Sequence, residues 1–160
     1  MKTTMYKTIL VPHAGTAAGD EALKHAIHFA KGTSAKIIIF NVIEEIRHPV
    51  TFVLGSPEKD ALFKSIKEAN ESLREDMEKV METRTQQCKD NNIDVEIKVE
   101  IGDAAEKILE LVEKENIDLI VMSKRRKLKG MKKLLSLGSV SRKIVEHVTC
   151  PVTLIDIEKI

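Results

Sequence analysis

The most constraining feature of the sequence is a regular exchange between two hydrophobic periods. Short apolar runs (Ile9-Leu10-Val11, Ile37 to Val42, Leu119-Ile120-Val121-Met122 and Pro151 to Ile155) are separated by segments whose apolar residues recur every three or four positions. A strand that is apolar on every residue has no solvent face, so both of its faces must be covered. The intervening segments supply amphipathic helices to cover them.

The first of these helices is expected from Asp20 to Lys31, with Ala22, Leu23, Ala26, Ile27 and Ala30 on one face and Gly32 as its stop. The longest is expected from about Pro57 to Asn91, with Leu62, Ile66, Ala69, Leu73, Met77, Val80 and Met81 as a single core-facing stripe. Asp103 suits the N-cap of a third helix, which buries Ile108, Leu109, Leu111 and Val112, and Ser139 to His147 reads as a short fourth. Asp94 to Ile101 instead alternates apolar and charged residues, as a half-exposed strand near a sheet edge does. Glu44 to Ser56, punctuated by Pro49 and Gly55, has no period and reads as a long exposed loop. The order is β-α-β-α-β-α-β-α-β. It predicts an α/β fold, a five-stranded, doubly wound, mostly parallel open sheet with helices on both faces. Its 160 residues suit one domain spanning 1–160.

Charge and composition exclude several roles. Lys plus Arg total 26 against 25 for Asp plus Glu, so the net charge of +1 is not that of a protein that coats nucleic acid. No stretch approaches the length of a membrane span, no signal segment opens the chain, and two cysteines, Cys88 and Cys150, make no disulfide framework. A cytoplasmic location is the expectation. Gly-x-x-x-x-Gly-Lys-Ser/Thr, Gly-x-Gly-x-x-Gly, His-Glu-x-x-His and Gly-x-Ser-x-Gly are all missing. His25 and His28 sit one helical turn apart without a third converging ligand and read as a helix face; both cysteines read as packing residues.

In an open parallel sheet the ligand site lies beyond the carboxyl ends of the strands, where strand order reverses. Three segments should meet there: Pro12 to Thr16 after the first strand, Asn41-Val42 at the end of the second, and Ser123 to Ser139 after the fourth. The last ends in Gly138-Ser139-Val140-Ser141 at a helix start, where free amides and the helix dipole favour an anion.

The sequence also resembles the universal stress protein family over nearly its whole length. The resemblance is carried by Tyr6-Lys7-Thr8-Ile9-Leu10-Val11-Pro12 with Gly15-Thr16, by Gly102-Asp103-Ala104-Ala105, and by Asn116-Ile117-Asp118-Leu119-Ile120-Val121-Met122. Its most specific part is Leu137-Gly138-Ser139-Val140-Ser141 through Cys150-Pro151-Val152. This implies a Rossmann-like fold of the adenine nucleotide alpha hydrolase type. ATP-binding members carry an Asp after the first strand, and Gly-x-x-Gly, nine residues, then Gly-Ser/Thr after the fourth. Here Ala14 replaces the Asp, Ser123 and Arg126 replace the first two glycines, and the loop is about two residues longer. Gly138-Ser139 and Val42, whose backbone would meet the base, are retained. The resemblance thus points to Pro12, Ala14, Val42, Ser123, Arg126, Gly138, Ser139 and Val140 as nucleotide-binding positions, with no catalytic or metal residue.

Two functions remain open on the sequence. One is a small stress-response protein acting as a homodimeric interaction or regulatory module, with weak or absent ATP binding. The other is a switch holding ATP or another phosphorylated ligand at Gly138-Ser139 under the basic loop 124–133, which carries Lys124, Arg125, Arg126, Lys127, Lys129, Lys132 and Lys133. Neither requires a resident cofactor beyond such a nucleotide. Neither is an enzyme beyond, at most, slow ATP hydrolysis. The resemblance further implies a homodimer through the last strand, at Val152, Leu154 and Asp156.

Overall fold

Strands and helices alternate throughout the described residues, 5–45, 55–124 and 137–156 of the computed structural model. They are β1 (Thr8–Pro12), α1 (Ala17–Ala30), β2 (Lys36–Ile43), α2 (Ser56–Asp90), β3 (Val95–Ile101), α3 (Ala104–Lys114), β4 (Leu119–Lys124), α4 (Ser139–His147) and β5 (Val152–Asp156). The sheet order is β3-β2-β1-β4-β5, and every neighbouring pair is parallel. The chain therefore builds from β1 through β2 to β3, then returns to the other side of β1 for β4 and β5. That reversal opens a crevice at the carboxyl ends of β1 and β4. The five-stranded, doubly wound sheet is as expected, and it is parallel throughout.

The continuous apolar runs now have their explanation. Ile9, Val11, Ile37, Ile39, Leu119 and Val121 face α1 and α2 in one buried cluster. Leu10, Ile38, Phe40, Ile120 and Met122 face α3 and α4 in another, with Ile108, Leu111 and Ile144. Alternate residues of one strand thus enter two different cores, so no position is free to be polar. Burying a side chain of this size contributes roughly 1.5–3 kcal/mol, and most of the sheet interior is 0% exposed. The edges differ. In β3 only Val99 is fully buried, and β5, at the opposite edge, is half-buried at Val152, Thr153, Leu154 and Ile155. Among the described residues no helix is long and apolar enough to cross a membrane.

Two expectations need correction. Helix α1 begins at Ala17, three residues before Asp20, because Thr16 is its N-cap and the Thr16 hydroxyl accepts the Gly19 amide at 3.4 Å. The apolar stripe on α2 is not a single core-facing one. Its buried residues are Asn70, Met81, Thr85 and Cys88, whereas Leu73 and Val80 are 43% and 38% exposed and Ala69 is exposed too. The reason is length. Thirty-five helical residues extend about 52 Å at 1.5 Å each, while the eight residues of β2 extend about 26 Å at 3.3 Å each. The amino-terminal half of α2 has little sheet beneath it. Of the expected loop from Glu44 to Ser56, Ser56 already belongs to α2, and residues 46–54 lie outside the described residues.

Candidate functional site

A cleft of about 360 Å³ occupies the switch point. Its β1–α1 wall is Pro12, His13, Ala14 and Thr16. The end of β2 contributes Phe40, Asn41, Val42 and Glu44, and the first turns of α3 contribute Ala104 and Ile108. Met122 and Ser123 of β4 and Gly138 to Ser141 at the start of α4 close it. Of the eight positions singled out in the sequence, Pro12, Ala14, Val42, Ser123, Gly138, Ser139 and Val140 are therefore brought together in one cavity. Arg126 lies outside the described residues, as does the basic loop beyond Lys124, which itself ends β4.

The α4 end of the cleft is the electropositive one. Gly138 is the N-cap, with extended backbone and no side chain to cap the helix. The amides of the first turn have no intrahelical acceptor and begin at the cleft. Free space surrounds Gly138, since a Cβ placed there would meet nothing within 4 Å. Ser141 is buried against the cleft. The middle of the cleft is apolar, where Val42, Ala104, Ile108, Met122 and Val140 offer a slot for a flat, weakly polar group. Among the described residues no three His, Cys, Asp or Glu side chains converge as metal ligands. Among the described residues Glu44 is the one carboxylate in the lining.

The β1–α1 wall holds a feature that sequence reasoning placed in the site without giving it a role. The His13 side chain is 0% exposed. Its Nδ1 accepts the Gly15 amide at 2.9 Å, and its Nε2 donates to Asp20 Oδ1 at 2.9 Å. Arg84, from α2, donates through Nε to the same Asp20 oxygen at 3.0 Å. The His13 amide donates to the Phe40 carbonyl, and the His13 carbonyl accepts Asn41 Nδ2, both at 2.8 Å. The other Asn41 atom, Oδ1, is a buried acceptor without a partner among the described residues. Burial pushes the His13 pKa down, and this outweighs the hydrogen bond and charge of Asp20, which raise it; the Arg84 charge lowers it further. The ring is thus neutral at pH 7 and carries its hydrogen on Nε2. Burial pushes the Asp20 carboxyl up, but hydrogen bonds from Arg84 and His13 together outweigh it and hold the carboxyl below its usual value.

The remaining candidates take structural places. His25 and His28 are exposed on α1, with His25 Nε2 at 3.9 Å from Glu21 Oε1. Cys88 is buried in the α1–α2 core, where desolvation raises its thiol to about 11. Cys150 packs half-buried against the other core. Sequence reasoning missed Phe40, Glu44, Ala104, Ile108 and Met122 as cleft residues, whereas Thr16 and Ser141 fall in the segments it placed there. Ala104 and Ile108 were in principle legible, because the helix after β3 must start at the same carboxyl edge as the cleft.

Comparisons with known proteins fit this geometry. The profile of the Universal stress protein family matches residues 5–156. A universal stress protein of Methanothermobacter thermautotrophicus is 30% identical over 151 residues, covering 94% of this chain and 96% of that one. The solved structure of MJ0577, a universal stress protein of Methanocaldococcus jannaschii, superposes with a TM-score of 0.76 at 25% identity and covers 95% of this chain and 96% of its own. An Arabidopsis thaliana universal stress protein family protein, solved with AMP bound, superposes with a TM-score of 0.55 at 21% identity, over 94% and 91% of the two chains. From its first strand to its last, the chain belongs to the universal stress protein family.

Proposed function

We propose that this protein is a regulatory nucleotide-binding module of the stress response, acting as a single domain and a homodimer, and that its cleft takes an adenine nucleotide. The observation that carries the reading is the convergence of seven anticipated residues from three separate segments on one cavity, with the uncapped start of α4 at one end. A base fits the apolar slot beside Val42, and a phosphate fits the first-turn amides at Gly138 to Val140. A relative of the same fold with AMP bound makes a nucleoside monophosphate the first ligand to try. With Ala14 in place of a carboxylate, binding needs no divalent cation. Among the described residues no side chain stands ready as a general base toward a bound phosphate, so the module responds to its ligand rather than converting it.

The dimer reading rests on β5. It is a sheet edge, half-buried over Val152 to Ile155, and an unpaired apolar edge favours pairing with its copy about a twofold axis.

The test is direct. With no Trp and one Tyr, the protein absorbs weakly at 280 nm, so a co-purified nucleotide dominates its ultraviolet spectrum, and acid release with chromatography identifies it. AMP at a hundred times its Kd stabilises the fold by about 2.7 kcal/mol. That raises the melting temperature by roughly 5–10 °C for a chain of this size. The rise should be the same with a chelator present. A protein that carries no nucleotide, and whose melting point AMP and ATP leave unmoved, overturns the reading.

A further inference from the structure

His13 is the buried titratable group that lines the cleft and is tied to two helices at once. Its backbone is fixed by β2 through Phe40 and Asn41, so the ring cannot swing away with its strand. Its edge is closed by Gly19, where a Cβ would stand 2.6 Å from Nδ1. Within that enclosure the ring does one thing for the cleft, which is to orient the Ala14–Gly15 peptide. The Gly15 amide points at Nδ1, and because the peptide is planar and trans, the Ala14 carbonyl points the opposite way. Gly15 has φ +75°, a conformation that glycine holds without strain and from which it also departs easily. Ala14 and Thr16, on either side, both line the cleft.

We propose that neutral His13 is the positioning residue of the cleft's β1–α1 wall: by accepting the Gly15 amide it holds Ala14 and Thr16 in the ligand-receptive arrangement, and its protonation releases them. Protonation places a hydrogen on Nδ1, so two donors face each other and the Ala14–Gly15 peptide must turn. The charged groups facing the ring are Asp20 from α1 and Arg84 from α2; β2 adds only the uncharged Asn41. Asp20 remains bonded to Nε2 in either state, so the change falls on the Nδ1 side, at the cleft. Burial places the transition below the ordinary histidine value of 6.5. Ligand affinity is therefore complete above the folded pKa of His13 and is lost as pH falls through it. The ligand part of this inference rests on the nucleotide reading above; the geometry of the turn does not.

Two variants and two readouts test it. In H13N the amide oxygen accepts from Gly15 two residues on, as an Asx turn does, and does not titrate. In H13A nothing accepts. At pH 7.5, AMP affinity by calorimetry should be near wild type in H13N and about tenfold weaker in H13A, the effect of one hydrogen bond left unmade. As pH falls from 7.5 through the His13 titration, whose position the amide resonances below report, wild type should lose about tenfold more affinity than H13N. The ionisation of the phosphate near pH 6 affects both proteins alike. Independently of any ligand, the Gly15, Ala14 and Thr16 amide resonances should shift with the His13 titration in wild type and stay fixed in H13N. Parallel pH profiles for wild type and H13N, or a Gly15 resonance indifferent to His13, overturn the proposal. If AMP binds none of the proteins at any pH, the nucleotide reading fails, and the amide titration of the wild-type protein alone decides the role of His13.

Discussion

Gly19→Ala should destabilise this protein, although every local rule says otherwise. Gly19 lies in the first turn of α1 with ordinary helical backbone, and replacing a helical glycine by alanine is worth about 0.5–1 kcal/mol in favour of the fold. Here the new methyl would stand 2.6, 2.7 and 2.8 Å from Nδ1, Cε1 and Cγ of His13. The ring cannot yield cheaply. It is fully enclosed, held by the Gly15 amide on one nitrogen and by Asp20, itself held by Arg84, on the other. Overpacking at such a site costs about 1–3 kcal/mol, and displacing the ring strands the Gly15 amide at about 1 kcal/mol more. The net is a loss of about 1–3.5 kcal/mol once the helical gain is subtracted. In an H13A background the obstacle is gone, and the same substitution should stabilise by about 0.5–1 kcal/mol. The sign therefore reverses, and the two backgrounds differ by about 2–4 kcal/mol, well beyond the error of a double-mutant cycle. Urea unfolding followed by circular dichroism at 222 nm, at one fixed protein concentration, measures all four proteins. A stabilised G19A, or the same effect in both backgrounds, would refute the enclosure of His13 on which the site description depends.

Gly138→Asp separates fold from binding: there is room for the side chain, and Asp is a better N-cap by a few tenths of a kcal/mol, so the melting point holds or rises. Its carboxylate would take the α4 amides and repel a phosphate, so nucleotide binding should fall at least tenfold by calorimetry. Val152→Glu or Leu154→Glu should give a monomer by sedimentation velocity at near-unchanged helix content, and a persistent dimer refutes the β5 interface. Cys88, with its thiol raised to about 11 and fully buried, should react with a thiol reagent at pH 8 only after unfolding. Prompt reaction of two thiols in the native protein would show the α1–α2 core to be open.

What the sequence made legible follows from how each property is encoded. Ile37 to Phe40 and Leu119 to Met122 announce buried parallel strands because every residue must satisfy one of two cores, a local rule that survives without knowing the partner helices. The start of α4 and the end of β2 could be placed at one site because strand order alone brings carboxyl ends together. The apolar face of α2 was misjudged because periodicity reports which residues are apolar and not how far the sheet extends beneath them. His13 escaped for a deeper reason. Its role needs Asp20 seven residues on and Arg84 seventy-one residues on, with Gly19 to make space, and only the packing of α1 and α2 against β1 makes those three neighbours. Read locally, His13-Ala14-Gly15 looks like a turn that has lost a carboxylate. In the fold, the carboxylate of Asp20 stands behind the ring, and an Arg holds it there. The polar group that meets the Gly15 amide is the interior His13 ring, and Asp20 holds its other nitrogen. A site built that way should tolerate the absence of a metal but not the loss of the acceptor for the Gly15 amide, and this difference is what the H13N and H13A comparison measures.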